Sequence, residues 1–244
     1  MRDMVYSITQ DTPSYLCDRN DKLHAWAAVR LCQEVTEYHG NSTGIGYHRL
    51  LEQNRAWVIV RSYYEFHRRA DSFENITLNT WSRGADGLFA FRDYRVQNQM
   101  GEVLLTGTSY WTLIDFSQRR AVRLKDAVDG YGFHDEFATE RHTLSKLVMP
   151  PMDDIDVAFQ QVVRESILDH TQHVNNSEYI KMIFDALSGT QFDADKPFSL
   201  ELNFNHETRP GDTLSVLVKE QDGAFYSQIL NAQGSSVIAR VAYL

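Results

Sequence analysis

The feature that most constrains this chain is an internal repeat. Each half carries the same order of elements: a short strand, a helix, then four strands of alternating polarity. In the first half, strand Val5–Thr9 precedes a helical stripe in which Leu23, Ala27, Leu31, Val35 and Tyr38 recur every three or four residues. The loop Gly40–Gly46 is expected to end that helix. Four strand-like runs follow: Trp57–Phe66, Ile76–Trp81, Leu88–Val96 and Val103–Ile114. Ile76, Leu78 and Thr80 alternate with Thr77, Asn79 and Trp81, as on a half-buried strand. Gly84-Ala85-Asp86-Gly87 and Asn98–Gly101 supply the turns. The second half repeats the pattern with strand Phe159–Glu165, a helix over Asn176–Leu187, and runs Phe198–Phe204, Thr213–Lys219, Phe225–Asn231 and Ser236–Ala242.

One such unit is half an architecture. A sheet with one apolar face wraps the helix, and its edge strand, left alone, invites aggregation. Two units paired edge to edge or back to back remove the problem, and a chain carrying both supplies its own partner. The expectation is an α+β double hotdog fold: residues 1–116 as the N-terminal unit, 117–156 as connector and 157–244 as the C-terminal unit. A connector of about 40 residues is long for a compact protein, so it should wrap the surface of both halves, with room for a short helix.

Composition narrows the function classes. With 43% hydrophobic and 23% charged residues, the chain of 244 can bury a sizeable core. No apolar run approaches the ~18–20 residues of a membrane helix, and the N-terminus lacks an apolar signal region. A cytoplasmic protein without membrane attachment is expected. Cys17 and Cys32 have neither disulfide nor metal spacing and read as reduced core residues. The net charge of −9 argues against nucleic-acid binding. Two local basic clusters stand out: His67-Arg68-Arg69, and Arg119-Arg120 with Arg123 and Lys125. Each is either a solvated face or a docking patch for an acidic partner.

The chemistry concentrates in Asp169-His170-Thr171-Gln172-His173-Val174-Asn175-Asn176. A carboxylate, imidazoles and two amides stand just before a helix N-terminus, where unpaired N–H groups can hold an oxyanion. Asn175 followed by Glu178 also reads as a capping box, and Asn176 as another possible cap. A metal site from Asp169, His170 and His173 lacks a third His or Cys at motif spacing, so no metal or cofactor is expected. In the first half, Asp18, Asp21 and His24 precede the helix as a worn counterpart, which points to one active site per chain. Gly40-Asn41-Ser42-Thr43-Gly44 has nucleophile-elbow spacing, but it follows a helix where the elbow needs a strand.

Asp-x-x-x-His-Val-Asn-Asn followed by a Tyr-containing helix resembles the acyl-acyl-carrier-protein thioesterase family. Trp57-Val58-Ile59-Val60-Arg61, Thr80-Trp81, Arg92-Asp93-Tyr94, Ser109-Tyr110-Trp111 and Leu202-Asn203-Phe204-Asn205-His206-Glu207 extend the likeness in order along the chain. The resemblance implies a fused double hotdog that hydrolyses fatty acyl-carrier thioesters in fatty-acid biosynthesis. It implies catalytic roles for Asp169, His173 and Glu207, with Thr171 where the family often has Asn, and orienting or oxyanion roles for Asn175 and Asn176. Plant members carry Cys after the acid; Thr208 stands here, so a cysteine nucleophile is absent at that position. Trp57, Trp81 and Trp111 are expected to line the acyl pocket, and Arg68, Arg69, Arg119 and Arg120 to dock the acyl carrier protein. Either monomer or homodimer fits. Alternatives are an acyl-coenzyme A thioesterase, a hotdog dehydratase, or an acyl-binding module.

Overall fold

The computed structural model describes residues 4–118, 120–124, 132–169 and 171–244. Its strands form one 11-stranded antiparallel sheet. In chain order they are β1 (Val5–Asp11), β2 (Arg55–Phe66), β3 (Asn75–Asp86), β4 (Phe89–Asn98), β5 (Val103–Asp115), β6 (Arg120–Ala121), β7 (Val157–Val162), β8 (Phe198–Phe204), β9 (Thr213–Gln221), β10 (Ala224–Asn231) and β11 (Gly234–Tyr243). The order across the sheet is β1-β3-β4-β5-β2-β8-β11-β10-β9-β7, with β6 on the end of β5. From either edge the order reads alike, so the two copies join edge to edge. The join is β2 against β8, from Arg61↔Asn203 to Phe66↔Phe198. The Phe66 and Phe198 rings stack across it at 4.6 Å. Each copy thereby covers the inner edge of the other.

The helices α1 (Ala25–Thr43) and α3 (Asn176–Leu187) lie on one face of the sheet, against each other. α1 buries small residues, Ala27, Ala28 and Cys32, beside Val29 and Val35, so its backbone rides close to the sheet. α3 buries Tyr179, Ile180, Met182, Ile183 and Leu187. One hydrophobic cluster runs through both halves and includes Leu78, Tyr94, Leu200, Val216 and Phe225. Each large side chain withdrawn this way contributes about 1.5–3 kcal/mol. Among the described residues no helix is long and apolar enough to cross a membrane.

The structure corrects several sequence-based boundaries. α1 does not stop at Gly40; it continues to Thr43 and closes on Gly44, whose φ of 83° is the left-handed value that ends helices. The Ser42 hydroxyl therefore sits inside a helical turn and donates to the His39 carbonyl at 2.8 Å, which removes any nucleophile elbow. A short helix, α2 (Tyr47–Glu52), follows; it was too brief to show a period, and its Leu50 packs with Trp57 and Leu113. β3 continues past Trp81 through a bulge at Ser82/Gly84. The strand expected at Phe159–Glu165 is β7, shifted earlier, followed by a 3-10 turn at Glu165–Ile167.

After β6, the connector crosses the sheet on the face opposite the helices. The Glu136 carbonyl accepts from Trp81 Nε1 at 2.8 Å, and Ala138 N–H donates to Asp93 at 2.7 Å. Arg141 makes two hydrogen bonds to Glu201, at 2.7 and 2.9 Å. The Leu144 carbonyl accepts from Arg61 at 2.8 Å, and Pro151 accepts from Lys219 at 2.8 Å. The segment thus touches strands of both halves in turn.

Candidate active site

The segment before α3 is a tight loop closed on itself. Leu168 and Val174 form an antiparallel bridge. Asp169 N–H donates to the His173 carbonyl at 2.9 Å, and Gln172 N–H to the Asp169 carbonyl at 2.9 Å. Gln172 takes φ 62° to make the turn. This geometry brings alternate side chains, Asp169, Thr171 and His173, to one side. The Asp169 carboxylate accepts the Thr171 N–H at 2.8 Å and the Thr171 hydroxyl as well. The Thr171 oxygen lies 3.2 Å from His173 Nδ1. A hydroxyl has one proton. Given to Asp169, it leaves Thr171 to accept from Nδ1–H, which fixes the tautomer with the lone pair on Nε2. That Nε2 lies 3.5 Å from a Glu207 carboxylate oxygen.

Glu207 arrives from the segment that leaves β8. Asn205 N–H and His206 N–H donate to the Ser236 carbonyl at 2.8 and 3.3 Å, and Asn231 donates to the Glu207 carbonyl at 3.3 Å. The Glu207 side chain is 65% exposed, and His173 is 37% exposed, so the pair sits at an accessible mouth.

The helix cap is simpler than a capping box. Asn175 Oδ1 accepts from Ser177 N–H at 3.0 Å, but Glu178 does not reach back. Its carboxylate instead meets Arg30 at 3.3 Å and Lys181 at 4.0 Å. Asn175 N–H is occupied by the Ile167 carbonyl and Glu178 N–H by the Asn175 carbonyl. Among the described residues, the Asn176 N–H has no hydrogen-bond partner.

The first half keeps the same loop without its chemistry. Asp18 N–H donates to the Lys22 carbonyl, Asp21 N–H to the Asp18 carbonyl, and His24 N–H to the Leu16 carbonyl, repeating the bonds of Asp169, Gln172 and Asn175. Thr12 and Phe73 likewise repeat the exchange between Val163 and Gly211. In this alignment Lys22 stands for His173, and, counting back from Phe73 and Gly211, Arg69 stands for Glu207. Arg69 fills the loop: it donates to Asp18 at 2.6 Å, to the Ala194 carbonyl at 3.1 Å, and to Asp195. His24, expected with the worn site, is the N-cap residue of α1.

Other expected site residues fall elsewhere. Trp57 and Trp111 lie on the helix-side face, with Trp57 Nε1 donating to the Ile45 carbonyl at 3.3 Å and Trp111 Nε1 to Ser109 at 2.7 Å. Trp81 faces the other way, beneath the connector, because Thr80 already points toward the helix-side Arg92. It does not line a helix-side pocket. Arg68 is committed to Glu74 at 2.7 Å, Glu102 at 2.9 Å and Asp71 at 3.3 Å, and the Arg69 side chain is 7% exposed. Neither is a free docking cation. Arg120 is exposed beside Gln118. Arg119, Lys125 and His170 lie outside the described residues. The sequence reading noted Thr208 only for the cysteine it replaces and gave Tyr179 no role at the site, yet the two are buried and joined by a hydrogen bond of 2.6 Å. The i-to-strand pairing that joins them leaves no local trace.

Two helices wrapped by one sheet, with a single loop of the pair retaining an acid–hydroxyl–imidazole line, define a double hotdog with one candidate site. Residues 3–131 match the Acyl-ACP thioesterase N-terminal domain and residues 153–240 the Acyl-ACP thioesterase C-terminal domain. The chain belongs to the acyl-ACP thioesterase family. It is 24% identical to the chloroplastic dodecanoyl-acyl-carrier-protein hydrolase of Umbellularia californica, over 98% of this chain and 67% of that protein. It is 22% identical to the chloroplastic oleoyl-acyl carrier protein thioesterase 2 of Arabidopsis thaliana, over 87% of this chain and 62% of that protein. The chain thus spans about two thirds of the length of these relatives. Its fold matches the solved 12:0-ACP thioesterase from Umbellularia californica with a TM-score of 0.86 at 22% identity, covering 100% of this chain and 98% of that one. An acyl-ACP thioesterase from Bacteroides thetaiotaomicron VPI-5482 matches with a TM-score of 0.81 at 20% identity, covering 99% and 98%.

Proposed function

We propose that this protein hydrolyses fatty acyl thioesters of acyl carrier protein, releasing free fatty acid and carrier in the step that ends fatty-acid synthesis in the cytoplasm. The observation that carries the reading is the line Asp169–Thr171–His173–Glu207 at the start of α3. Asp169 and Thr171 orient the imidazole. A water between His173 Nε2 and Glu207 gives its proton to this pair as its oxygen attacks the thioester carbonyl. The oxyanion of the tetrahedral intermediate takes the Asn176 N–H and the positive end of the α3 dipole. Collapse expels the thiolate, which recovers the proton from the pair. Water is the nucleophile, since Thr208 is 1% exposed and bonded to Tyr179.

The test is release of free thiol and free acid from acyl-carrier and acyl-coenzyme A thioesters. Turnover is expected with the carrier substrate, and a fall of roughly 10²–10⁴-fold in kcat for His173→Ala or Glu207→Gln. Thiol release from the coenzyme A substrate alone would reassign the carrier; release from neither would end the reading.

A further inference from the structure

We propose that Tyr179 is a positioning residue for Glu207, acting through Thr208; this rests on the reading of His173 and Glu207 as the proton-accepting pair. The two members of that pair belong to different elements. His173 is in the loop that feeds α3, and Glu207 is in the segment that leaves β8. Their separation of 3.5 Å therefore depends on how α3 sits against the end of β8. The exposed Glu207 carboxylate has no other polar contact among the described residues, so it does not set that distance itself.

Among the described residues, one side-chain hydrogen bond ties α3 to the Glu207 segment. The Tyr179 hydroxyl, on α3, donates to Thr208 Oγ1 at 2.6 Å, and Thr208 is the residue next to Glu207. Tyr179 is 4% exposed and Thr208 1%. The Thr208 hydroxyl in turn points at Ser236 Oγ, 3.5 Å away. Ser236 is the residue whose carbonyl holds the Asn205 and His206 N–H groups. Away from water such a chain is strong and sensitive to geometry. The Tyr179 ring also meets Phe204, the last residue of β8, edge to face at 6.2 Å, which limits its swing. Burial pushes the phenol up to about 12, so it remains a donor across the working range. The hydroxyl thus links the helix that follows His173 to the residue that follows Glu207.

The variant Tyr179→Phe keeps the ring and deletes the link. The expected result is a fall in kcat of roughly ten- to a hundredfold with KM unchanged, the scale of a small misplacement of reacting groups. Thr208→Val should match it, and Thr208→Ser should retain turnover. In a Glu207→Gln background, Tyr179→Phe should cause no further loss. Unchanged kcat in Tyr179→Phe, or an equal further loss in the Glu207→Gln background, overturns the positioning role. Full turnover in Glu207→Gln alone instead overturns the underlying pair, and is visible without Tyr179. If Tyr179→Phe is too unstable to assay, the contrast between Thr208→Ser and Thr208→Val decides in the same way.

Discussion

Replacing Arg69 separates two roles that the sequence leaves open, docking and structure. The side chain is 7% exposed, and its guanidinium makes three contacts: Asp18, the Ala194 carbonyl and Asp195. In Arg69→Met the side chain keeps much of its volume and loses all three. Hydrogen bonds to charged groups contribute roughly 1.5–3 kcal/mol each when well buried, but the partners here are unequal. The Asp195 side chain is 52% exposed and recovers water easily. Asp18 keeps the N–H groups of Asn20 and Lys22, at 2.8 and 3.1 Å. The net loss should be about 3 kcal/mol, within the range for breaking a largely buried ion pair. For a protein of this size that is roughly 6–12 °C in Tm, read by calorimetry or thermal fluorescence. Arg69→Lys should recover less than half, because an ammonium cannot reach three divergent acceptors. The loss should also depend on pH. Burial pushes the Asp18 carboxyl up, but the Arg69 hydrogen bond and the two N–H groups outweigh it and hold it below its ordinary value. A depressed carboxyl stabilises the fold above its ordinary pKa, so the gap between wild type and variant should close as pH falls through the carboxylate range. KM for the acyl-carrier substrate should not move. A raised KM with an unchanged Tm would refute this reasoning and restore Arg69 as a docking residue.

Thr171→Val should lower kcat roughly ten- to a hundredfold with little change in Tm, because Asp169 still accepts the backbone N–H of residue 171; steady-state kinetics beside a melting curve checks both. Gly107→Ala should destabilise the protein by about 2–3 kcal/mol in urea unfolding, since a Cβ there would lie 2.4 Å from Cδ1 of the fully buried Tyr64. Glu74→Gln should lose about 1–2 kcal/mol at neutral pH. The Arg68 hydrogen bond holds the Glu74 carboxyl at about 2, against an ordinary 4.5, so that difference should vanish as pH falls through this window in pH-dependent denaturation.

The sequence was most informative where local chemistry decides the structure. The bounds of α3 and β8 could be read directly, because Asn175 caps the helix and a strand in which apolar Phe198, Leu200, Leu202 and Phe204 alternate with polar residues follows Pro197. The repeat fixed the fold class because each half has the same order of periods. The line from Asp169 to His173 was visible since the turn that joins them spans five residues. What could not be read depends on partners far along the chain. His67-Arg68-Arg69 looks like an open basic patch, but Glu102 and Asp195 neutralise it from distant segments. Trp81 reads as a pocket residue until the connector is seen to cover its face. Gly40 reads as a helix stop, but the backbone of Gly46 packs over it, where a Cβ would meet Gly46 Cα at 3.3 Å.

The join between β2 and β8 has a genetic consequence. In a dimer of identical subunits, every substitution appears twice, so a loop cannot abandon catalysis in one copy and keep it in the other. Here the two loops are encoded separately. Lys22 and Arg69 can turn one loop into an ion-paired joint, anchored through Asp195 to the other half, while His173 and Glu207 persist in its twin. A single reading frame therefore lets one half specialise as scaffold without disarming the other.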